Sequence, residues 1–146
     1  MTSPPPAETS RILGIDYGTR RIGLAISDPD RTMAHPLMTV DVRGDETHLR
    51  RIADVARTYN VSLVVIGLPY NMDGSLGRRG QDVLRWGKEL ENHTGLPVVF
   101  WDERLSTCEA HDLMVRHDVK ASRRKRVIDR IAAGIILQSY LDAGRS

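Results

Sequence analysis

Three carboxylates interrupt apolar surroundings in this 146-residue chain: Asp16 closes the run RILGID, Glu103 follows LPVVFWD, and Asp129 sits in VIDRIAAGIIL. An acid so placed needs a reason, because burying an unpaired carboxylate is costly. Carboxylate oxygens suit hard divalent cations such as Mg²⁺, which keep several of their waters. Two such ions about 3.5–4 Å apart activate a water and stabilise the leaving oxygen when a phosphodiester is cut. Each acid also has a simpler use. Asp16 can bond to the turn at Gly18–Thr19, Asp102 and Glu103 suit the start of a helix, and Asp129 has Lys125 and Arg126 at helical spacing. Spacing alone does not bring the three together.

Charge is distributed unevenly. Residues 116–130 carry seven Lys and Arg against Asp118 and Asp129, in a chain with 21 basic and 19 acidic side chains in total. Cations at the amino end of a helix oppose its macrodipole by about 0.3–1 kcal/mol each. Lys120, Arg123, Arg124, Lys125 and Arg126 therefore point to a use beyond helix stability, the holding of phosphates; a merely solvated face is the alternative. Arg20 and Arg21 after the first apolar run, and Arg78 and Arg79 ahead of a helix, extend that surface. With one Phe, two Trp and four Tyr, a stacking platform for single strands is not indicated. The expected partner is duplex or branched nucleic acid, gripped by its backbone.

Other chemistries lack their residues. There is no G-x-S-x-G, no H-E-x-x-H, no dinucleotide fingerprint and no Walker lysine pattern. The lone Cys108 forms no intramolecular disulfide and no metal cluster, which predicts a reduced, cytoplasmic setting. No apolar run approaches the roughly 18 residues of a membrane span, so no membrane partner is expected. Residues 1–10 (MTSPPPAETS) lack the features of a secretory signal and predict a disordered proline-rich tail ahead of a single domain, 11–146.

The elements that must position the acids follow from periodicity. RILGID and RIGLAIS, separated by YGTR, predict an antiparallel hairpin, and PLMTVDV (36–42) a third strand. Leu49, Ile52, Ala53, Val55, Ala56 and Tyr59 recur at helical spacing behind Asp45, a candidate N-cap. SLVVIGLP (62–69) has no alternation, which suits a strand buried on both faces. NMDGSLGRRG predicts a loop, and QDVLRWGKELENHTG a helix stopped by Gly95. LPVVFW is the next strand, Ser106–Glu109 a capping box opening a helix to about Arg116, and the last helix presents Ile128, Ile131, Ile135 and Tyr140 on its apolar face. A hairpin leading into strand–helix alternation predicts an α/β mixed sheet with helices on both faces.

In order and spacing, GIDYGTRRIGLAISD, VVIGLPYNMDGS, WDERLST and VIDRIAAGIILQSYLD closely resemble the YqgF/RuvX family. These ribonuclease H-like proteins are described as Holliday-junction resolvases and as nucleases that process the precursor of small-subunit ribosomal RNA. The resemblance runs from about Ile12 to Asp142. It implies a five-stranded sheet in the order 3-2-1-4-5, its first three strands antiparallel. It also implies Mg²⁺ or Mn²⁺ ligands at Asp16, Glu103 and Asp129, supported by Asp102, Arg104 and Thr107. Glu103 follows the fifth strand, two strands from Asp16 and so about 10 Å away in backbone; its side chain must lean inward to share a site. The expected activity is metal-dependent phosphodiester hydrolysis, on the 5′ end of pre-16S rRNA, on Holliday junctions, or on both, by a monomer or a homodimer. The alternative is a nucleic-acid-binding factor without catalysis.

Overall fold

The computed structural model describes residues 10–105 and 121–144. The tail 1–9, the capping box Ser106–Glu109 with the helix expected to follow it, and with them Thr107, Cys108 and Lys120, lie outside the described residues.

The chain forms β1 (Arg11–Tyr17), β2 (Arg21–Ser27), β3 (Ala34–Asp41), α1 (Thr47–Thr58), β4 (Val61–Leu68), α2 (Arg78–Thr94), β5 (Val98–Asp102), a short 3-10 turn (Glu103–Leu105) and α3 (Ala121–Ala143). The five strands make one sheet in the order β3-β2-β1-β4-β5. The meander β1-β2-β3 is antiparallel, whereas β4 runs parallel to β1 and to β5. This is the ribonuclease H-like mixed sheet that the sequence motifs imply. No described helix is long and apolar enough to cross a membrane.

Alternation along each strand splits the core in two. Leu13, Ile15, Ile22, Leu24, Val64 and Ile66 face α1 and α2, where Leu49, Ile52, Val83, Trp86 and Leu90 cover them. Ile12, Ala25 and Val65 face α3, where Ala133, Ile136, Leu137 and Leu141 cover them. That second seam corrects the isoleucine face expected of α3: Ile128, Ile131 and Ile135 are only half-buried. The helix is apolar on several sides, and the side that meets the sheet is chosen by fit. Gly14 of β1 admits the helix so closely that a β-carbon there would stand 2.6 Å from Leu137 Cβ.

Two boundaries also move. Ser10, expected in the tail, is buried, its hydroxyl 2.7 Å from Ser62 Oγ and 2.6 Å from Arg31 Nη2. Helix α2 begins at Arg78 rather than Gln81, with the Gln81 N–H donating to the Gly77 carbonyl at 3.1 Å. The glycine that makes this stretch look like a loop serves packing instead: a β-carbon on Gly80 would lie 2.2 Å from Leu76 Cδ1. Arg78 and Arg79 thereby become part of the first turn of α2.

Candidate active site

Asp16 is the penultimate residue of β1, on the face that α3 covers. Its neighbour on β2 is Gly23. Across the other edge β4 presents Gly67, one residue beyond the Ile66 that pairs with Ile15. The carboxylate is thus flanked by two positions without side chains, and each gap is filled by the segment that brings another acid. A β-carbon on Gly23 would stand 1.9 Å from the Asp129 carbonyl oxygen, so the backbone of α3 rests directly on β2 at Asp129. A β-carbon on Gly67 would stand 2.8 Å from Glu103 Oε1. Glu103 therefore leans inward over β4, the strand that separates its own from that of Asp16.

The turn that carries Glu103 is fixed at both sides. Ser139 of α3 accepts a hydrogen bond from Trp101 Nε1 at 3.0 Å and donates to the Leu105 carbonyl at 3.1 Å. Asp102 accepts from the Arg104 backbone N–H at 2.9 Å and from its guanidinium Nε and Nη2, the latter at 2.8 Å. The same guanidinium donates to the Asn71 carbonyl at 3.4 Å and lies 5.1 Å from the centre of the Tyr70 ring. Asp102 and Arg104 thus join the end of β5 to the loop after β4, and the Asp102 charge adds to the upward shift of Glu103.

Asp16 feels the charge of the other two acids. The Asp16 carboxyl is pushed up to about 7, first by burial and then by the negative charges of Glu103 and Asp129; Arg79 opposes the shift. Burial also raises Glu103, again against the pull of Arg79. Like charges that must coexist in a partly buried site raise a carboxyl in this way, and such perturbation is common where chemistry is done. Arg79, in the first turn of α2, is thus the cation whose charge both carboxyls feel.

The predicted basic residues divide into several groups. Arg21 is turned into the site, its Nε 2.8 Å from Asp129 Oδ2, so the acid's partner lies across the sheet and not on its own helix. Arg126 pairs with Asp41 at 2.7 Å instead. Arg20, Arg78, Arg123 and Lys125 are exposed, and Arg124 is half-buried. A cleft of about 380 Å³ opens at Asp129, bounded also by Tyr17–Arg21, Arg79 and Asp82. The donor set fits a hard cation: oxygen only, with excess negative charge at Asp16. It is not closed around one, since among the described residues no group of three or more His, Cys, Asp or Glu is placed to hold a metal ion; Arg21 supplies the positive charge at Asp129. Sequence reasoning missed Gly23 and Gly67. Their signal was available, because glycine inside a strand marks a close approach of other backbone or ligand.

Known proteins resemble this chain over most of its length. A family model described as "RuvX: Holliday junction resolvase" matches residues 10–143. The relative from Caldanaerobacter subterraneus named "Putative pre-16S rRNA nuclease" is 42% identical over 93% of this chain and 99% of its own. One of the same name from Syntrophus aciditrophicus is 44% identical, covering 91% and 89%. Among solved structures, Thermus thermophilus RuvC in complex with a Holliday junction substrate superposes with a TM-score of 0.58 at 17% identity, covering 94% of this chain and 98% of that one. The fowlpox virus resolvase, also with Holliday junction DNA, gives 0.55 at 11%, covering 93% and 99%. These two share the fold; the sequence matches go further, and by them the chain belongs to the RuvX family.

Proposed function

We propose that this chain is a cytoplasmic nuclease that hydrolyses phosphodiester bonds in structured nucleic acid, with Mg²⁺ or Mn²⁺ held by Asp16, Glu103 and Asp129. The pre-16S rRNA 5′ end and the Holliday junction are its candidate substrates. The observation that carries the proposal is the Asp16 carboxyl, raised to about 7 with Glu103 and Asp129 among the causes. Asp16 on β1 thus feels the charges of acids brought from the end of β5 and from α3.

A bound divalent ion supplies charge for the phosphate and lowers the pKa of water. The protein's own groups do the rest. Gly67 and Gly23 leave the space in which Glu103 and Asp129 meet Asp16. Arg21 occupies Asp129 Oδ2 until displaced by the ion, and Arg79 offers a cation to the phosphate beside Asp16 and Glu103. Arg20, Arg78 and the basic residues of α3 supply sequence-independent contacts to the backbone, which favour branched or folded nucleic acid over a particular base.

The test uses the purified chain on branched DNA and on a pre-16S rRNA fragment, with and without Mn²⁺. Asp16→Asn should lose the divalent-dependent product while binding stays within about two-fold of the unaltered protein; unchanged cleavage would overturn the assignment. A binding factor without catalysis is the second reading, favoured by the pairing of Asp129 with Arg21. It predicts salt-sensitive binding and no product in either buffer. Paired cuts at a junction call for two copies of the chain, whereas trimming one RNA end calls for one, so the oligomeric state on each substrate separates the two candidates.

A further inference from the structure

A second cleft opens at the same sheet edge, on the far side of β3. Its volume is about 450 Å³, and its walls include Arg43, Arg51 and Arg126, the end of β3, and Thr47 and His48 at the amino end of α1. Three arginines there face two aspartates, and both aspartates are engaged. Asp41 takes the Arg126 guanidinium at 2.7 Å, and Asp45 accepts the Thr47 N–H at 3.0 Å. Arg43 and Arg51 are exposed and have no ion pair among the described residues. The first turn of α1 carries no acidic side chain, and of the acids just ahead of it Asp45 is already committed to the Thr47 N–H.

His48 provides an independent observation. It is only 8% exposed, and its Nε2 lies 3.0 Å from Trp86 Nε1. Indole N–H can only donate, so Nε2 accepts and the proton of the neutral ring is on Nδ1. Nδ1 is the one buried side-chain polar atom among the described residues with no partner. An unsatisfied buried donor in a native fold calls for an explanation, and an anion in the cleft supplies the acceptor.

We infer that this cleft is a second phosphate subsite, which takes a backbone phosphate flanking the one at the acids. Arg43 and Arg51 contact its oxygens, and His48 Nδ1–H donates to it. The position is apt: Gly23, beneath Asp129, pairs with Thr39 of the cleft, and Thr39 Oγ1 donates to the Arg126 carbonyl at 2.5 Å. Two strand spacings, about 10 Å, separate it from β1. The assignment to nucleic acid rests on the proposed function; the affinity for a phosphate group does not.

Two measurements on the full chain keep these apart. Titration with inorganic phosphate, followed by NMR, should give saturable shifts of the Thr47, His48 and Leu49 amides, absent from the Arg43→Ala/Arg51→Ala variant. Shifts that do not saturate and spread over all surface arginines would mean an adventitious ion only and overturn the subsite. In the Asp16→Asn background, the same pair of alanines should lower the slope of log affinity against log salt on branched DNA by about 0.9 per lost contact. An unchanged slope, with the slope of the Arg123→Ala/Arg124→Ala variant reduced, would overturn the subsite and leave the nuclease reading standing.

Discussion

Glu103 leans over β4 toward Asp16 because Gly67 has no side chain: a β-carbon at that glycine would stand 2.8 Å from Glu103 Oε1 and 2.6 Å from Ile136 Cδ1. Both obstacles are ends of side chains, so Gly67→Ala should fold with a loss of about 1–3 kcal/mol. The displaced carboxylate should lower kcat by about 10²-fold. Gly23→Ala is different, since its β-carbon would meet the Asp129 backbone at 1.9 Å. The helix itself must move, and we expect a larger fall in Tm than for Gly67→Ala. Thermal unfolding and single-turnover cleavage of the two variants check both statements; equal Tm losses would refute the distinction.

These glycines also mark where the sequence was legible and where it was not. Strand and helix positions follow from apolar periodicity, and the mixed sheet follows from the hairpin and the alternation after it. The contact face of α3 does not, because VIDRIAAGIIL is apolar on most sides and isoleucine is the more conspicuous residue. Close approach over Gly14 and Gly23 selects Ala133, Ile136 and Leu137 instead. The acids were legible as residues out of place. Their partners were not, since a basic side chain declares its charge but not its direction: Arg21 turns inward to Asp129, and Arg126 outward to Asp41.

If Asp129 is a ligand of the proposed divalent ion, Arg21 and that ion compete for one carboxylate. Arg21→Ala frees Asp129 Oδ2, which the guanidinium holds at 2.8 Å, and should tighten Mn²⁺ binding several-fold while weakening binding to nucleic acid. Calorimetric titration with Mn²⁺ reads the first effect and a salt series of nucleic-acid binding the second. Weaker Mn²⁺ binding in the variant would show that Arg21 organises the acids rather than occupying one of them.

The pairing of Arg104 with Asp102 predicts a role in position and not in phosphate binding. Arg104→Lys keeps the charge but loses the fork that engages both Asp102 oxygens, and the contacts to Tyr70 and Asn71 with it. Activity should fall about ten-fold or more, as expected for a displaced reacting group, while the salt slope of nucleic-acid binding stays unchanged. A slope lowered in Arg104→Ala would make Arg104 a phosphate contact instead.

Asp16 should make the ion-free protein less stable as pH rises. Its carboxyl titrates near 7 in the fold against 3.8 as a free side chain. Below about pH 4 the proton is bound in both states, and Asp16 contributes no pH dependence. Between about 4 and 7 the folded chain retains a proton that the unfolded chain has lost, so stability declines across this window and levels off above it. Folding above pH 7 then forces a charged Asp16 into the neighbourhood of Glu103 and Asp129, and a cation bound there offsets the repulsion. Mn²⁺ should therefore raise Tm more at pH 8 than at pH 5, by mass action on the folded state. Asp16→Asn has no proton to lose and should flatten both dependences. Melting curves of the two proteins at pH 5 and 8, with Mn²⁺ and with chelator, measure all four terms; an equal rise in Tm with Mn²⁺ in Asp16→Asn would place the ion away from Asp16.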